Sequence, residues 1–196
     1  PVGAPVRAYI RARDVMISAN DGATWTRPTT LPPGCGASMQ WEGGIADGNG
    51  TLVMVGGDGT VCRSADNGQT WTSVSLGQTI GSRLIWTGTE FMVWGGNKLF
   101  RSPNGVTWVS MATSLKITLA DGGIQNAALD LGPVARSPAG TFVGVNGGWQ
   151  QWYDKQLFLR STDGLAWTSL PKNKYAASHP MTHIVWGPAA RSAACP

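Results

Sequence analysis

The sequence predicts an all-β chain built from short antiparallel strands grouped in fours, and three observations predict it. Charged residues make up only 13% of the 196 residues, and helix formers such as Glu and Leu are sparse beside abundant Gly, Ser, Thr and Trp, which disfavours helix. Short β-branched, aromatic and aliphatic runs recur between turns carrying Gly, Asn or Asp. One phrase, Ser64-Ala65-Asp66-Asn67-Gly68-Gln69-Thr70-Trp71, is written four times.

At this length the chain is one domain or a small repeat array, large enough to bury a core. No apolar run approaches the roughly 18–20 residues of a membrane helix. The formal charge of +4 is spread along the chain, with Arg7, Arg11 and Arg13 as its nearest approach to a cluster, so a solvated, slightly basic surface is expected and nucleic-acid binding is not. A chain opening on Pro1, without initiator methionine or signal peptide, is expected to be a processed or trimmed product. Cys35, Cys62 and Cys195 match no metal spacing. They allow one disulfide with one free thiol, or an intermolecular bridge through Cys195. Low charge with many Trp and Gly residues favours a secreted or cell-envelope location.

The four copies of the phrase are Ser18-Ala19-Asn20-Asp21-Gly22-Ala23-Thr24-Trp25, the one at 64–71, Ser102-Pro103-Asn104-Gly105-Val106-Thr107-Trp108, and Ser161-Thr162-Asp163-Gly164-Leu165-Ala166-Trp167. Their tryptophans lie 46, 37 and 59 residues apart. Three apolar runs precede each of the last three copies. They are 40–46, 51–57 and 60–63 before the second, 83–86, 91–96 and 98–101 before the third, and 128–131, 141–148 and 157–160 before the fourth. A fourth run follows, as in Trp71-Thr72-Ser73-Val74. The phrase therefore falls in the hairpin between the third and fourth strands of each unit.

Its residue types suit that hairpin. Gly22, Gly68, Gly105 and Gly164 supply the positive φ of a tight turn. Asn20, Asp66, Asn104 and Asp163 can accept bonds from turn amides. Trp25, Trp71, Trp108 and Trp167 are expected to bury their rings, each worth about 4–6 kcal/mol as an upper bound. Ser18, Ser64, Ser102 and Ser161 open the phrase. A turn built this way needs no ligand to explain its recurrence, so the repeat reads as structural.

These residues closely resemble the Asp-box, or BNR, repeat S-x-D-x-G-x-T-W, which the second copy matches at every defined position, and the resemblance covers nearly the whole chain. It implies a β-propeller of the sialidase-like superfamily architecture. It does not imply one activity, since such propellers include sialidases, xyloglucan-hydrolysing glucanases, sortilin-type receptors and a photosystem-assembly factor.

The ends extend the pattern. Residues 184–192 echo 129–137, the first strand of the preceding unit, and 6–10 and 14–17 look like second and third strands. A C-terminal first strand pairing with the N-terminal strands would close a single domain over 1–196. Its four blades would fall at about 38–77, 81–114, 126–171, and 184–196 joined with 5–31. The alternative is part of a larger propeller, completed by a second chain or by lost blades.

Catalytic residues are not assigned. A sialidase would need three arginines on the substrate carboxylate, a tyrosine nucleophile with a glutamate partner, an aspartate acid and an early Arg-Ile-Pro motif. Tyr9-Ile10-Arg11-Ala12 does not match, and Glu42 and Glu90 are the only glutamates. Another glycoside hydrolase, or a polysaccharide lyase, would need loop-rim carboxylates, for a hydrolase about 5–10 Å apart, and Asp121, Asp130 and Asp154 are the candidates. Asp47, Asp58, Asp66 and Asp163 read as turn acids. His179 and His183 are separated by Pro180 and precede a strand, so no metal and no cofactor are expected.

The fourth unit departs from the others between its second and third strands, where Gly147-Gly148 is followed by Trp149-Gln150-Gln151-Trp152-Tyr153-Asp154 and Lys155-Gln156. The second and third units place only Asp58-Gly59 or Asn97 there. This loop is expected on the rim opposite the repeated hairpins, with the connections 115–127 and 172–175. Flat aromatic faces beside amides and an acid suit sugar rings. The bland alternative folds these aromatics onto the blade or into the central channel. The expected function is an extracellular, non-catalytic recognition or scaffold module that binds a glycan or a protein partner through Trp149 to Asp154.

Overall fold

The computed structural model describes residues 7–11, 14–18, 20, 22–28, 30–35, 44–80, 82, 84–146, 157–170 and 184–187, and all of its regular structure is strand and turn. The first sheet pairs β1 (Arg7–Arg11) with β2 (Asp14–Ser18). The second is a meander of β3 (Ile45–Gly48), β4 (Thr51–Val55), β5 (Thr60–Ser64) and β6 (Thr72–Ser75), antiparallel throughout. The third repeats it with β7 (Ile85–Trp86), β8 (Phe91–Gly95), β9 (Lys98–Ser102) and β10 (Val109–Ala112).

The last sheet has six strands. β13 (Leu131–Arg136), β14 (Phe142–Asn146), β15 (Leu157–Ser161) and β16 (Ala166–Ser169) form the meander, and β11 (Ser114–Thr118) and β12 (Ile124–Ala127) extend it in the order β12-β11-β16-β15-β14-β13.

Burial within each meander follows composition. β4 after its first residue and the whole of β8 are apolar runs buried on both faces, whereas the Thr-Ser-Val-Ser of β6 is exposed throughout. Alternate residues of an inner strand therefore serve two different neighbours, as the two-residue period dictates. Leu52 and Met54 of β4 pack with Ile17 of the first sheet, Cys62 and Trp71. Val53 and Val55 turn the other way, onto Phe91, Val93 and Phe100 of the third sheet. Met92, Trp94 and Leu99 of the third sheet then meet Leu131, Phe142, Leu159 and Trp167 of the last. The core is three apolar layers between four successive sheets, and the last layer holds Trp94 edge-on to Phe142 and Trp167, with ring centroids 5.9 and 6.0 Å apart.

Cys35 and Cys62 form a disulfide with their Cα atoms 5.9 Å apart, tying the segment before the second sheet to β5 across 27 residues. Closing a loop of that length stabilises the fold by about 3–4 kcal/mol on the chain-entropy account.

Two features differ from sequence expectation. The stretch 115–127, expected as a rim connection, is mostly a β-hairpin. Leu115↔Ala127 to Thr118↔Ile124 pair antiparallel, and Ser114↔Ala166 to Lys116↔Thr168 pair parallel to β16. Its alternating Leu115-Lys116-Ile117 buries Leu115 in the adjoining core layer, at 1% exposure, while Ile124 lies outermost and exposed. The first strand of the last meander is Leu131–Arg136, which overlaps the apolar run 128–131 only at Leu131 and lies within the stretch 129–137. The pairing expected of 184–196 with the N-terminal strands falls outside the described residues except at 184–187, which form no strand.

Candidate functional site

All four copies of the repeated phrase adopt one hydrogen-bonded geometry. The buried serine hydroxyl donates to the Asn or Asp two residues on, at 3.1 Å for Ser18 to Asn20, 2.8 Å for Ser64 to Asp66, 3.2 Å for Ser102 to Asn104 and 3.0 Å for Ser161 to Asp163. The same oxygen accepts from the glycine N–H, at 2.7, 2.8, 2.8 and 2.9 Å from Gly22, Gly68, Gly105 and Gly164. The Asn or Asp side chain then accepts from the amide just before the tryptophan, those of Thr24, Thr70, Thr107 and Ala166. Each indole N–H returns to its glycine carbonyl at 2.9–3.1 Å, so the serine, the Asn or Asp and the tryptophan of each copy all bond within their own turn. The extra residue of the second copy, Asn67, sits at φ 58°, a conformation that Asn tolerates.

This bonding lowers the pKa of the turn carboxyls. Asp66 is held down at about 2, chiefly by the Thr70 hydroxyl, then by the Thr70 N–H and the Ser64 hydroxyl. For Asp163, burial alone would raise the pKa, but the N–H groups of Ala166 and Leu165 and the Ser161 hydroxyl together outweigh it and lower it. Carboxylates held ionised by internal donors are structural anions, poorly suited to donating a proton.

The tryptophans differ. Trp167 is 1% exposed and Trp71 8%, whereas Trp25, expected to be buried like them, is 40% exposed. The cause lies in what covers each turn. Ile17 of the first sheet meets Gly68, Val53 of the second meets Gly105, and the Trp94 indole of the third donates to the Gly164 carbonyl at 2.8 Å. Gly22 has no such neighbour among the described residues.

The rim carrying these hairpins is tied together by arginines that sequence reasoning did not assign. Arg63 Nε donates to the Asn104 carbonyl at 2.7 Å, linking the second and third sheets, and Arg136 reaches the Thr87 carbonyl at 3.0 Å. Arg101 grips both carboxylate oxygens of Glu90 through its Nε and Nη2, which raises the Arg101 pKa and occupies the only described glutamate. A signal was present: Arg63, Arg101 and Arg160 each precede the serine of a repeat.

The opposite rim holds the departures from the repeat. Asn146↔Leu157 is the last pair of β14 and β15, so the loop 147–156 leaves the sheet there, away from Ser161. Trp149, Gln150, Gln151, Trp152, Tyr153 and Asp154 themselves lie outside the described residues, as do His179, His183, Glu42 and Cys195. The turn of the β11–β12 hairpin opens on this rim too, with Asp121 accepting from the Gly123 N–H at 2.8 Å. Asp130 precedes β13 on the same rim, its own N–H held by Asn146 Oδ1 at 2.7 Å.

The structure thus brings Asp121, Asp130 and the roots of the long loop to one end of one sheet, but not close to each other. Asp121 follows β11 and Asp130 precedes β13, four strand steps away, which at about 4.8 Å a step is about 19 Å. That exceeds the roughly 5–10 Å of a glycosidase acid pair. Asp58, read as a turn acid, accepts from the Thr60 N–H at 2.9 Å and the Thr60 hydroxyl at 3.0 Å. Among the described residues no group of three or more His, Cys, Asp or Glu is placed to hold a metal, and no helix is long and apolar enough to cross a membrane.

Successive four-stranded antiparallel sheets, packed face to face with a hairpin of one shape closing each unit, define a β-propeller. Solved propellers of two kinds resemble it at that level. YCF48 bound to a D1 peptide matches with a TM-score of 0.59 at 16% identity, over 85% of this chain and 51% of that one. The GH74 xyloglucanase from Xanthomonas campestris matches with a TM-score of 0.56 at 16% identity, over 89% of this chain and 30% of that one. The chain therefore spans about half of the first and under a third of the second. No protein-family model and no curated protein matches the sequence.

Proposed function

We propose that the chain is a non-catalytic propeller module of a secreted or cell-envelope protein, and that it binds a peptide or protein segment on the rim bearing the loop 147–156. Its four hairpins are Asp-box turns in this reading, and its blades follow the boundaries 38–77, 81–114 and 126–171. The observation that carries the non-catalytic reading is the placement of Asp121 and Asp130 at opposite edges of one sheet, with Glu90 held by Arg101 on the other rim. The Cys35–Cys62 disulfide supports an oxidising compartment. A propeller seen with a peptide bound, YCF48, lends the peptide reading its precedent.

A glycan is the second reading, favoured by Trp149, Trp152 and Tyr153 beside Gln150, Gln151 and Asp154 in one short loop. Peptide and glycan arrays, run beside a broad glycosidase screen, separate these readings. The expected result is a bound peptide class, lost about tenfold or more in the Trp149→Ala/Trp152→Ala variant with the melting temperature unchanged. Turnover that disappears in Asp154→Asn or Asp121→Asn would overturn the proposal in favour of a hydrolase or lyase.

A further inference from the structure

Asparagine is followed by glycine at Asn49-Gly50, Asn67-Gly68, Asn104-Gly105 and Asn146-Gly147, and the fold treats these pairs unequally. Asn-Gly is open to an intramolecular reaction, attack of the glycine nitrogen on the asparagine carboxamide carbon, because no Cβ shields that nitrogen. The reaction needs the nitrogen unengaged, the carboxamide able to swing onto it, and water at hand.

The repeated hairpins withhold the nitrogen. Gly68 and Gly105 are buried, and each N–H donates to the serine hydroxyl that opens its phrase, Ser64 or Ser102, at 2.8 Å. Asn104 is held at its side chain as well, its Oδ1 accepting from the Val106 and Thr107 N–H groups at 2.9 and 3.0 Å. Asn146 ends β14, paired with Leu157, and its Oδ1 takes the Asp130 N–H at 2.7 Å.

Asn49-Gly50 is placed differently. It is the tip joining β3 to β4, between the paired Gly48 and Thr51, with φ values of 54° and 73°, the left-handed pair of a type I′ turn. Both residues are exposed. The Gly50 N–H meets no acceptor among the described residues, and a Cβ on Gly50 would have no described atom within 4 Å. The corresponding turns of the third and last meanders, Thr87 to Glu90 and Ser137 to Gly140, carry no asparagine. A hairpin tip opens locally at little cost, so the carboxamide reaches the nitrogen while the sheet stays paired.

We infer that Asn49 is a site of spontaneous covalent modification, deamidating through a succinimide in the folded protein while Asn67, Asn104 and Asn146 are protected. The Gly50 nitrogen gives up its proton and bonds to Asn49 Cγ, the bond from Cγ to the side-chain nitrogen breaks, and ammonia leaves with that proton. Water then opens the imide at either carbonyl, giving aspartate or, with an extra carbon in the backbone, isoaspartate. Water is consumed, ammonia is released, and nothing is oxidised or reduced. The isoaspartyl product reaches the packing of two sheets, because Gly48 beside the tip is buried under the third sheet, where a Cβ would overlap the Trp86 ring and come within 2.8 Å of Phe91. The tip lies on the rim of the repeated hairpins, since Leu52 pairs with Ser64, so the inference is independent of the ligand assigned to the opposite rim.

Peptide mapping of the folded chain held in mildly alkaline buffer tests it, with isoaspartate counted by enzymatic methyl transfer from S-adenosylmethionine. Asn49 should convert about tenfold or more faster than each of the other three, and the chain unfolded in urea should lose that ranking. Gly50→Ala, which crowds the nitrogen, and Asn49→Gln, which would need a larger ring, should each remove the fast conversion. The isoaspartyl fraction should melt below the parent, whereas Asn49→Asp, with the charge but not the longer turn, should melt with it. Equal rates at the four sites in the folded chain overturn the inference. So does an Asn49 that stays intact while the unfolded chain converts, or a conversion that Gly50→Ala leaves untouched. An isoaspartyl fraction that melts with the parent would sever the link to the sheet joint.

Discussion

The first and fourth hairpins are the same object locally and opposite objects in the fold. Ser18, Asn20, Gly22 and Trp25 make the same bonds as Ser161, Asp163, Gly164 and Trp167, with the indole donating to the glycine carbonyl at 3.1 and 3.0 Å. Yet Trp167 is 1% exposed and Trp25 40%. The motif shapes its own turn, and the sheet that precedes it decides whether the turn becomes core. Hydrogen bonds within eight residues are short-range and repeat faithfully, whereas burial requires a partner surface supplied from far along the chain, as Ile17 is for Gly68 and Trp94 for Gly164.

The largest expected consequence is in the tryptophans. Trp167→Ala should lower unfolding free energy by about 3–5 kcal/mol, because it empties a packed layer shared with Trp94 and Phe142. Trp25→Ala should cost no more than about 1 kcal/mol when the two are compared by urea denaturation. Equal losses would mean that Trp25 is covered within the monomer, and the comparison would fail.

A smaller effect separates the glycines. Gly22 and Gly68 share positive φ values of 86° and 82°, so alanine at either carries the left-handed penalty of about 1–2 kcal/mol. Only Gly68→Ala also collides with Ile17, adding about 1–3 kcal/mol. Ile17→Ala should then recover part of the Gly68→Ala loss, a coupling a double-mutant cycle reads directly, and purely additive losses would remove Ile17 from the joint.

The smallest effect is in pH. The folded pKa of Asp66, about 2, lies below its ordinary value of 3.8, so its stabilisation is complete above the ordinary carboxylate range. It is lost as pH falls through the folded value, between about pH 5 and pH 2. Asn20 and Asn104 at the same position have no proton to take up. Melting temperature against pH should show a shallower acid limb in Asp66→Asn than in the parent, and an unchanged limb would argue against the carboxylate as its source.

Much of the fold was legible because it is local and repeated. The strands before and after each serine, the turn glycines and the accepting Asn or Asp all follow from residue type and spacing. The hairpin at 114–127 was not, because Leu115, Lys116 and Ile117 form an alternating run that any sheet edge could accept, and the edge it takes is that of β16, much later in the chain, rather than that of the neighbouring β10. The arginine links were half-visible: Arg63 and Arg101 repeat in position, but their partners are an Asn104 carbonyl and a Glu90 carboxylate respectively. Asp121 and Asp130 looked equally available as an acid pair in the sequence. Their separation became readable only when the strand order placed four steps between them.

By itself the sequence determined the unit, because a four-strand meander closed by a Ser–Asp/Asn–Gly–Trp turn is encoded within about 40 residues by period, turn chemistry and short-range bonds. The tertiary structure alone decided which faces of those units are sealed. Sealing depends on an apolar side chain from one sheet meeting a glycine of the next, and neither residue carries any mark of the other in the chain.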